Sequence, residues 1–402
     1  MVGAALYHDV MVAVDNSECS NHAVELSVEL ARAMGAIVTG SHVYAAQLHD
    51  TRFRQLEPGL PERYQREDVL QRQRDIHDDL IGRGLGVIAD SYLQRFEERC
   101  CSAGVTARRR TREGRNYLEL IREVRENGYD LVVIGAHGLG RVERSALGSV
   151  CERVARMVER DLLVVREGRS PASAPILVAM DGSAHSFAAL SATLELARLF
   201  RSRVSAVAAY DPFFHTAAFR SIAGVLTDEA AKLFRFQEQE KLHDEIIDSG
   251  LETVYRSHLV KAQEIAAKRD IPLEIEVLEG KPFDAIASHV ERLRPSLLVV
   301  GRIGIHHADG VTLGSTAENL LRAANCNVLV VSRVADDGVD AVEATDEPKG
   351  ALPLRWSAEA EQRLQRVPPF VRGMVRKRVE QLAHSQGVAE ITAELFDQAR
   401  RH

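Results

Sequence analysis

Short apolar runs alternate along the chain with longer segments in which apolar residues recur at helical spacing. Short buried runs are typical of strands and longer amphipathic segments of helices, so this order predicts parallel strands joined by crossover helices. Helices are expected to begin near Ser17, within 62–101, after Gly114 and after Gly148. In the first half of the chain the predicted strands span 10–14, 37–44, 105–110, 131–135 and 162–165.

The same pattern occurs twice, at a constant offset of 166 residues. The motif VAVDNS around Asp15 recurs as VAMDGS around Asp181, and Gly114 recurs as Gly280. A fixed period of this kind indicates a duplicated domain. The strands predicted for the second copy span 176–180, 204–209, 273–278, 297–301 and 328–332.

We therefore predict an α/β protein with two tandem, doubly wound, five-stranded parallel sheets of the Rossmann-like type, followed by a small C-terminal helical domain. The predicted domains are residues 1–168 and 169–334, an acidic linker at 335–352 and the helical domain at 353–402.

Two polar segments, 62–99 and 227–269, are longer than an ordinary crossover helix. We interpret both as helical insertions after the second strand of their copy, serving as plain crossovers, with a regulatory lid as the alternative.

Each copy carries a glycine-rich loop of the form Gly-x-x-Gly, then nine residues, then Gly-Ser. The first glycine ends a strand, the second lets backbone N–H groups approach an anion, and the third opens a helix whose N-terminus attracts phosphate. Glycines that serve only a tight turn are the alternative. The loop residues are Gly135, Gly138, Gly148 and Ser149 in the first copy, and Gly301, Gly304, Gly314 and Ser315 in the second.

Asp15 and Asp181 each follow the first strand of their copy. Ligands of doubly wound sheets bind at the carboxyl ends of the strands, where the strand order reverses, so we expect both carboxylates to face that crevice. Capping of the next helix is a compatible second role.

The net charge and the hydropathy argue against two classes of protein, general nucleic-acid binders and membrane-spanning proteins. A net charge of -7 argues against a general nucleic-acid binder, which needs an excess of Lys and Arg. No run is long enough to span a membrane, and the N-terminal apolar stretch is interpreted as a strand because Asp9 interrupts it, so a cytoplasmic protein is expected.

The five cysteines are interpreted as reduced thiols, with a redox role for Cys100 and Cys101 as the alternative.

These motifs resemble the universal stress protein family, specifically its ATP-binding branch, over roughly residues 6–333. The resemblance implies ATP, ADP or AMP as the ligand, with Mg²⁺ as a candidate companion, and it implies that the last strands of the copies pair into an internal pseudo-dimer and allows further homo-oligomers. The residues that it assigns to the ligand are Ala13, Val14, Asp15, Val43, His137, Gly138, Gly148, Ser149 and Val150 in the first copy, and Ala179, Met180, Asp181, Ala209, Gly304, Gly314, Ser315 and Thr316 in the second.

The two loops are not equivalent. His137 of the first copy corresponds to Ile303 of the second, and the first loop carries Arg141, whose guanidinium suits a phosphate. We therefore expect the first site to be the better candidate for a triphosphate. Two histidines and an aspartate in 306–309 are interpreted as solvated loop residues and not as metal ligands, because adjacent histidines point in different directions.

Neither loop contains the lysine of a P-loop, and no general base is placed to activate water, so a fast ATPase is not expected. The leading hypothesis is a stress or signalling switch, with slow or no hydrolysis, in which ATP occupancy shifts a conformational equilibrium that a partner protein reads. The alternative is a nucleotide-free scaffold for a redox or tetrapyrrole-related partner.

After Arg333 the chain becomes acidic, which predicts a linker, and three short helices are predicted at 357–366, 370–386 and 392–401. The segment 367–392 resembles the small C-terminal domain of the B subunit of light-independent protochlorophyllide reductase. It brings no cysteine and no cluster ligand, so reductase activity is not implied. We expect a module that docks a redox, tetrapyrrole or anionic partner, with a solvated basic helix as the alternative.

Overall fold

The computed structural model describes residues 5–140, 142, 145–211, 248–305, 310, 312–335 and 355–365, with parts of 376–395. The chain forms two compact units, Met1–Ala341 and Val342–His402.

The first copy alternates strands and helices in the predicted order. Its five predicted strands are present, although β3 begins and ends later than predicted. The strands are β1 (Asp9–Ala13), β2 (Ile37–Tyr44), β3 (Ala107–Glu113), β4 (Leu131–Gly135) and β5 (Asp161–Val165). The helices are α1 (Glu18–Met34), α2 (Ala46–Leu56), α3 (Glu62–Gln65), α4 (Glu67–Ser102), α5 (Asn116–Glu126) and α6 (Ser149–Met157), with a 3-10 turn at Glu57–Gly59.

The second copy repeats this order after a 3-10 turn at Pro171–Ser173. Of the helical segment predicted at 227–269, the residues up to 247 lie outside the described part of the chain. The strands are β6 (Ile176–Ala179), β7 (Val204–Tyr210), β8 (Leu273–Glu279), β9 (Leu297–Gly301) and β10 (Asn327–Val331). The described helices are α7 (Ala184–Phe200), α8 (Asp248–Ala267), α9 (Pro282–Leu293) and α10 (Ser315–Ala323).

The two predicted sheets are joined into one sheet of ten strands, in the order β3-β2-β1-β4-β5-β10-β9-β6-β7-β8. Neighbouring strands are parallel except at the seam, where β5 and β10 pair antiparallel with Leu163 opposite Leu329. The expected pairing of the two last strands is therefore confirmed. It gives the backbone groups of two edge strands their partners, which explains why the sheets do not remain separate.

Matching caps begin the first helix of each copy. The Ser17 side chain accepts a hydrogen bond from the Ser20 N–H at the start of α1, and Ser183 accepts from Ser186 at the start of α7. Helix α1 ends at Gly35 in the left-handed conformation (φ 70°), which glycine adopts without steric cost. The duplicated sequence thus forms duplicated local structure.

Each face of the sheet is covered by one apolar core. Val10 and Val12 of β1 pack toward α1 and α4, whereas Met11 between them belongs to the core on the opposite face, with α5 and α6. Strands that are buried on both faces consist of continuous apolar runs, which is why their positions could be predicted from the sequence.

Charged side chains join the copies beside the seam. Arg322 lies 2.5 Å from Glu152, and Arg156 lies 2.6 Å from Glu318. Each residue of one pair is 166 positions from its counterpart in the other, so the two ion pairs follow the internal repeat.

The second unit is described by itself. Strands β11 (Arg355–Trp356) and β12 (Glu390–Ile391) pair in parallel, and α11 (Ala358–Gln365) corresponds to the first predicted helix. The Trp356 indole N–H donates to Glu380 at 3.0 Å. Most of the other two predicted helices lies outside the described residues. The buried core residues are Ala360, Leu364, Val379, Ala383, Ile391 and Leu395.

Across the described residues of both units, we find no helix with the length and apolar character needed to cross a membrane.

Candidate functional site

A cavity of about 660 Å³ opens at the carboxyl ends of β1 and β4, the neighbouring strands between which the strand order reverses. A second cavity, of about 390 Å³, lies at the equivalent ends of β6 and β9. This reversal point is where open α/β sheets bind their ligands. The topology therefore supplies one candidate site in each copy.

The predicted site residues that the structure describes line these two cavities. Arg141 lies outside the described residues, as do residues 306–309 of the second loop. What the cavities bind stays a prediction. The predicted residues on the first cavity are Ala13, Val14, Asp15, Val43, Gly135, His137, Gly138, Gly148, Ser149 and Val150. Those on the second are Ala179, Met180, Asp181, Ala209, Gly301, Gly304, Gly314, Ser315 and Thr316.

The glycines of the first loop are sites of close approach. A Cβ atom at Gly135 would lie 2.8 Å from the backbone nitrogen of Ser20, so only glycine lets the end of β4 pass the start of α1. A Cβ at Gly138 would lie 2.6 Å from Oδ2 of Asp15. Glycine at position 138 therefore lets the loop backbone meet this carboxylate.

Asp15 faces the cavity while bonding to the start of α1. Its Oδ1 accepts from the backbone N–H of Ser17 at 2.9 Å, and its own N–H donates to Oγ of Ser20 at 3.0 Å. Ser17, and not Asp15, is the capping residue of α1. The Asp15 carboxylate thus stabilises the turn through Oδ1 while the residue lines the cavity.

Helices α6 and α10 begin at the two cavities without a side-chain cap. Their capping positions are Gly148 and Gly314, which have no side chain to bond the first-turn N–H groups. Uncapped N–H groups and the positive end of the helix dipole together attract anions. Phosphate is the anion that this arrangement suits, because several N–H groups point to one place.

The carboxylate of the second site is more fully engaged. Oδ1 of Asp181 accepts from the backbone N–H and the hydroxyl of Ser183, at 3.0 and 2.6 Å, and Oδ2 accepts from the Ile305 N–H at 2.9 Å. Asp181 therefore offers fewer free lone pairs to a ligand than Asp15 does.

Helix α8 brings two ionisable rings toward Asp181. Burial lowers the pKa of His258, Asp181 opposes the shift and Lys261 adds to it. Burial also raises the pKa of Tyr255, with a further contribution from Asp181. At neutral pH both rings are therefore uncharged.

Sequence reasoning missed the part of the first site that β2 and α4 supply. Nδ1 of His42 lies 2.5 Å from the carbonyl oxygen of Val14, and Tyr92 meets the His42 ring edge-on at 5.3 Å between centroids. Ser41 and Asn116 also line the cavity. These residues carry no motif, and distant elements bring them together, so the signal that the sequence offered was the presence of polar residues, Ser41 and His42, within a buried strand.

Arg302 connects the second loop to the first copy. Its Nε donates to the carbonyl of Thr312 in its own loop at 2.6 Å, and its Nη2 donates to the carbonyl of Ala155 at 2.8 Å. Ala155 lies in the last turn of α6, whose N-terminus borders the first cavity.

Arg166 makes the reciprocal connection from the end of β5. It donates to Ala146 in the first loop at 3.2 Å and to Leu321 in the last turn of α10 at 2.6 Å. Ala146 and Leu321 correspond to Thr312 and Ala155 by the 166-residue offset, although the two arginines do not correspond to each other. Each site is thus linked to the helix that serves the other site.

Three buried cysteines have thiol pKa values above the ordinary value. Burial raises the pKa of Cys100 to about 11 and those of Cys151 and Cys326 to about 12. Because the thiolate is the reactive form, these thiols are poor nucleophiles at neutral pH. Cys100 is buried and Cys101 is exposed.

The sequence matches two models of known families. The universal stress protein family matches residues 6–166 and again 173–332. The proto-chlorophyllide reductase 57 kD subunit matches residues 356–400.

Individual proteins show the same division. A universal stress protein of Methanocaldococcus jannaschii is 32% identical over 89 residues, which cover 22% of this chain and 52% of that protein. The crystal structure of a universal stress protein from Archaeoglobus fulgidus aligns with 80% of this chain and 97% of its own, with a TM-score of 0.52 and 16% identity. The B subunit of the light-independent protochlorophyllide reductase of Rhodopseudomonas palustris is 47% identical over 47 residues, which cover 12% of this chain and only 9% of that protein.

Proposed function

Because the chain belongs to the universal stress protein family, we propose that it is a stress or signalling switch that binds an adenine nucleotide, with ATP at the first site. Ligand occupancy shifts a conformational equilibrium that a partner reads. Hydrolysis is slow or absent, since neither loop has the lysine of a P-loop.

One observation carries the proposal: the uncapped N-terminus of α6 and the loop glycines Gly138 and Gly148 converge on a single cavity at the reversal point of the sheet. The N–H groups there would hold the phosphates, and Asp15 would accept from the ribose hydroxyls. Mg²⁺ would neutralise phosphate charge beside these groups, which is the chemistry that it supplies in phosphate sites.

The first site is the better furnished of the two. Its cavity is about 660 Å³ against about 390 Å³ for the second. Counted over the described residues, the Asp15 carboxylate accepts fewer hydrogen bonds than the Asp181 carboxylate. We therefore assign the triphosphate to the first site, and the second site binds a smaller ligand or none.

Calorimetric titration of the full chain with ATP, ADP and AMP tests this proposal. We expect ATP to bind with a stoichiometry of about one in the micromolar range, where a Kd of 1 μM corresponds to about -8.2 kcal/mol. Absence of binding at millimolar ATP rejects the proposed function.

Matched glycine variants assign the site. A Cβ at Gly138 would lie 2.6 Å from Asp15 Oδ2, and a Cβ at Gly304 would lie 2.7 Å from Asp181 Oδ2, so Gly138→Ala and Gly304→Ala make equivalent disturbances. We expect Gly138→Ala to weaken ATP binding at least tenfold and Gly304→Ala to leave it nearly unchanged. The reverse result places the ATP in the second copy.

The nucleotide-free scaffold is the competing function. Analysis of acid-quenched purified protein for released nucleotide separates the two. Stoichiometric adenine nucleotide supports the switch, whereas an empty protein that also fails the titration supports the scaffold.

We also propose that the second unit docks a partner related to the reductase whose B subunit it resembles. We expect the full chain to bind purified light-independent protochlorophyllide reductase. Deletion of residues 352–402 should abolish this binding and preserve ATP binding. Equal binding by the deleted chain, or no binding by the full chain, rejects this docking role.

A further inference from the structure

Ser41 contributes an unpaired polar group to the first cavity. The residue is 1% exposed and lines that cavity, and among the described residues its Oγ has no hydrogen-bond partner. A buried hydroxyl without a partner costs about 1–3 kcal/mol, so such groups are rare unless something else bonds them. The occupant of the cavity is the available source of that bond.

The strand order decides which end of a nucleotide meets Ser41. Gly138, Gly148 and the start of α6 collect on the β4 side of β1, whereas β2 lies on the opposite side. A nucleotide with its phosphates at α6 therefore extends its base toward β2. Ser41 and Val43 lie two residues apart on β2 and share one face of the strand, so the base end of the site includes the Ser41 hydroxyl.

The second copy lacks this polar end. Val207 stands where the first copy has Ser41, and Pro282 stands where it has Asn116. Asn116 lines the first cavity and Pro282 lines the second. Neither valine nor proline has a side-chain hydrogen-bonding group, so the polar side chains of Ser41 and Asn116 have no counterpart in the second site.

We propose that Ser41 is a specificity-determining residue of the first site, and that its hydroxyl accepts a hydrogen bond from the exocyclic amino group of an aminopurine. The first site thereby selects adenine over a purine without a substituent at that position. The inference rests on the proposed binding of an adenine nucleotide at this site.

Titration of the full chain with ATP and with purine riboside triphosphate, which lacks the amino group, tests the assignment. The measurements use Gly304→Ala as the background, so that the first site is observed alone. Before mutation of Ser41, ATP should bind at least tenfold more tightly than the analogue. In Ser41→Ala, ATP affinity should fall about tenfold while analogue affinity stays the same, since about 1.4 kcal/mol of hydrogen bonding is lost only with ATP.

Thermal unfolding of the same proteins without ligand separates recognition from structure. Ser41→Ala removes a buried hydroxyl that has no partner in the described part of the chain, so its midpoint should be equal to or above that of the background protein. Thr39→Val is the matched control, because Thr39 is buried on the same face of β2 and does not line the first cavity. ATP affinity should be unchanged in this control.

The possible results are distinguishable. Equal preference for ATP over the analogue with and without the Ser41 hydroxyl overturns the inference and leaves the proposed function intact. A lowered midpoint with parallel weakening of both ligands also overturns it, because that pattern indicates a structural role. Failure of the background protein to bind either nucleotide rejects the proposed function at the first site itself.

Discussion

Nη2 of Arg302 donates to the carbonyl oxygen of Ala155 at 2.8 Å, so a side chain in the loop of the second site bonds to the helix that serves the first site. Arg302 is 3% exposed, and burial lowers its pKa, with Glu159 and Asp161 opposing the shift. A buried guanidinium stabilises the structure only while carbonyl groups satisfy it. Nε and Nη2 of Arg302 are bonded to carbonyl groups, whereas Nη1 is buried without a hydrogen-bond partner among the described residues.

Replacement of Arg302 by alanine should lower the free energy of unfolding by about 3 kcal/mol, because the carbonyls of Thr312 and Ala155 lose a charged donor. Urea denaturation of the full chain measures this change. Arg198→Ala is the control, since Arg198 is an exposed residue of α7 that pairs with Glu195 and should cost less than about 1 kcal/mol. Equal losses in the two variants would show that Arg302 contributes no more to stability than an exposed ion pair does.

The first copy expressed alone, as residues 1–168, should form a dimer. Removal of β10 leaves β5 as an edge whose residues are all buried in the intact chain, and a second copy of the same strand can pair with it antiparallel. Light scattering after size exclusion measures the mass. A stable monomer would contradict the prediction.

The stability of the second copy should fall in acid because His258 resists protonation. Burial holds its folded pKa below the unfolded value of about 6.5, so the unfolded chain binds the proton first. The free energy of unfolding should therefore decrease as the pH falls from 7 through 6.5, and level off below the folded pKa. Denaturation of His258→Gln at several pH values should show a smaller decrease than the parent.

A second buried histidine contributes to the same pH dependence of stability. Burial also lowers the pKa of His289, which should cause part of the acid sensitivity that His258→Gln retains. An identical profile for His258→Gln and its parent would refute the role of His258.

Gly135→Ala should destabilise the first copy by about 1–3 kcal/mol. The new methyl group would meet backbone atoms of Cys19 and Ser20 at 2.9 and 2.8 Å, and backbone yields less readily than a side chain. In Gly140→Ala, in the same loop, no atom of the described residues lies within 4 Å of the new methyl group, so stability should be unchanged. Thermal unfolding compares the two, and equal midpoints would show that the close approach is not restrictive.

The sequence by itself determined the duplication, the strands and most of the candidate site. Strands buried on both faces leave uninterrupted apolar runs, and the 166-residue offset aligns Asp15 with Asp181 and Gly135 with Gly301. The structure of a local motif such as the glycine loop can be predicted from the sequence, because its strand end, turn and helix start are contiguous in the chain. The boundaries of β3, which is rich in arginine at the edge of the sheet, were predicted less well because its burial pattern is weak.

Only the tertiary structure decided what depends on distant residues. The fusion of two sheets through β5 and β10 follows from edge pairing, and the contributions of Ser41, His42 and Tyr92 follow from the packing of β2 and α4 around β1. Arg166 and Arg302 occupy non-corresponding positions and yet make corresponding bonds, so no sequence period reveals them. Hydrogen bonds across the seam depend on which atoms are close in the folded structure, whereas a sequence period depends only on the spacing of residues along the chain.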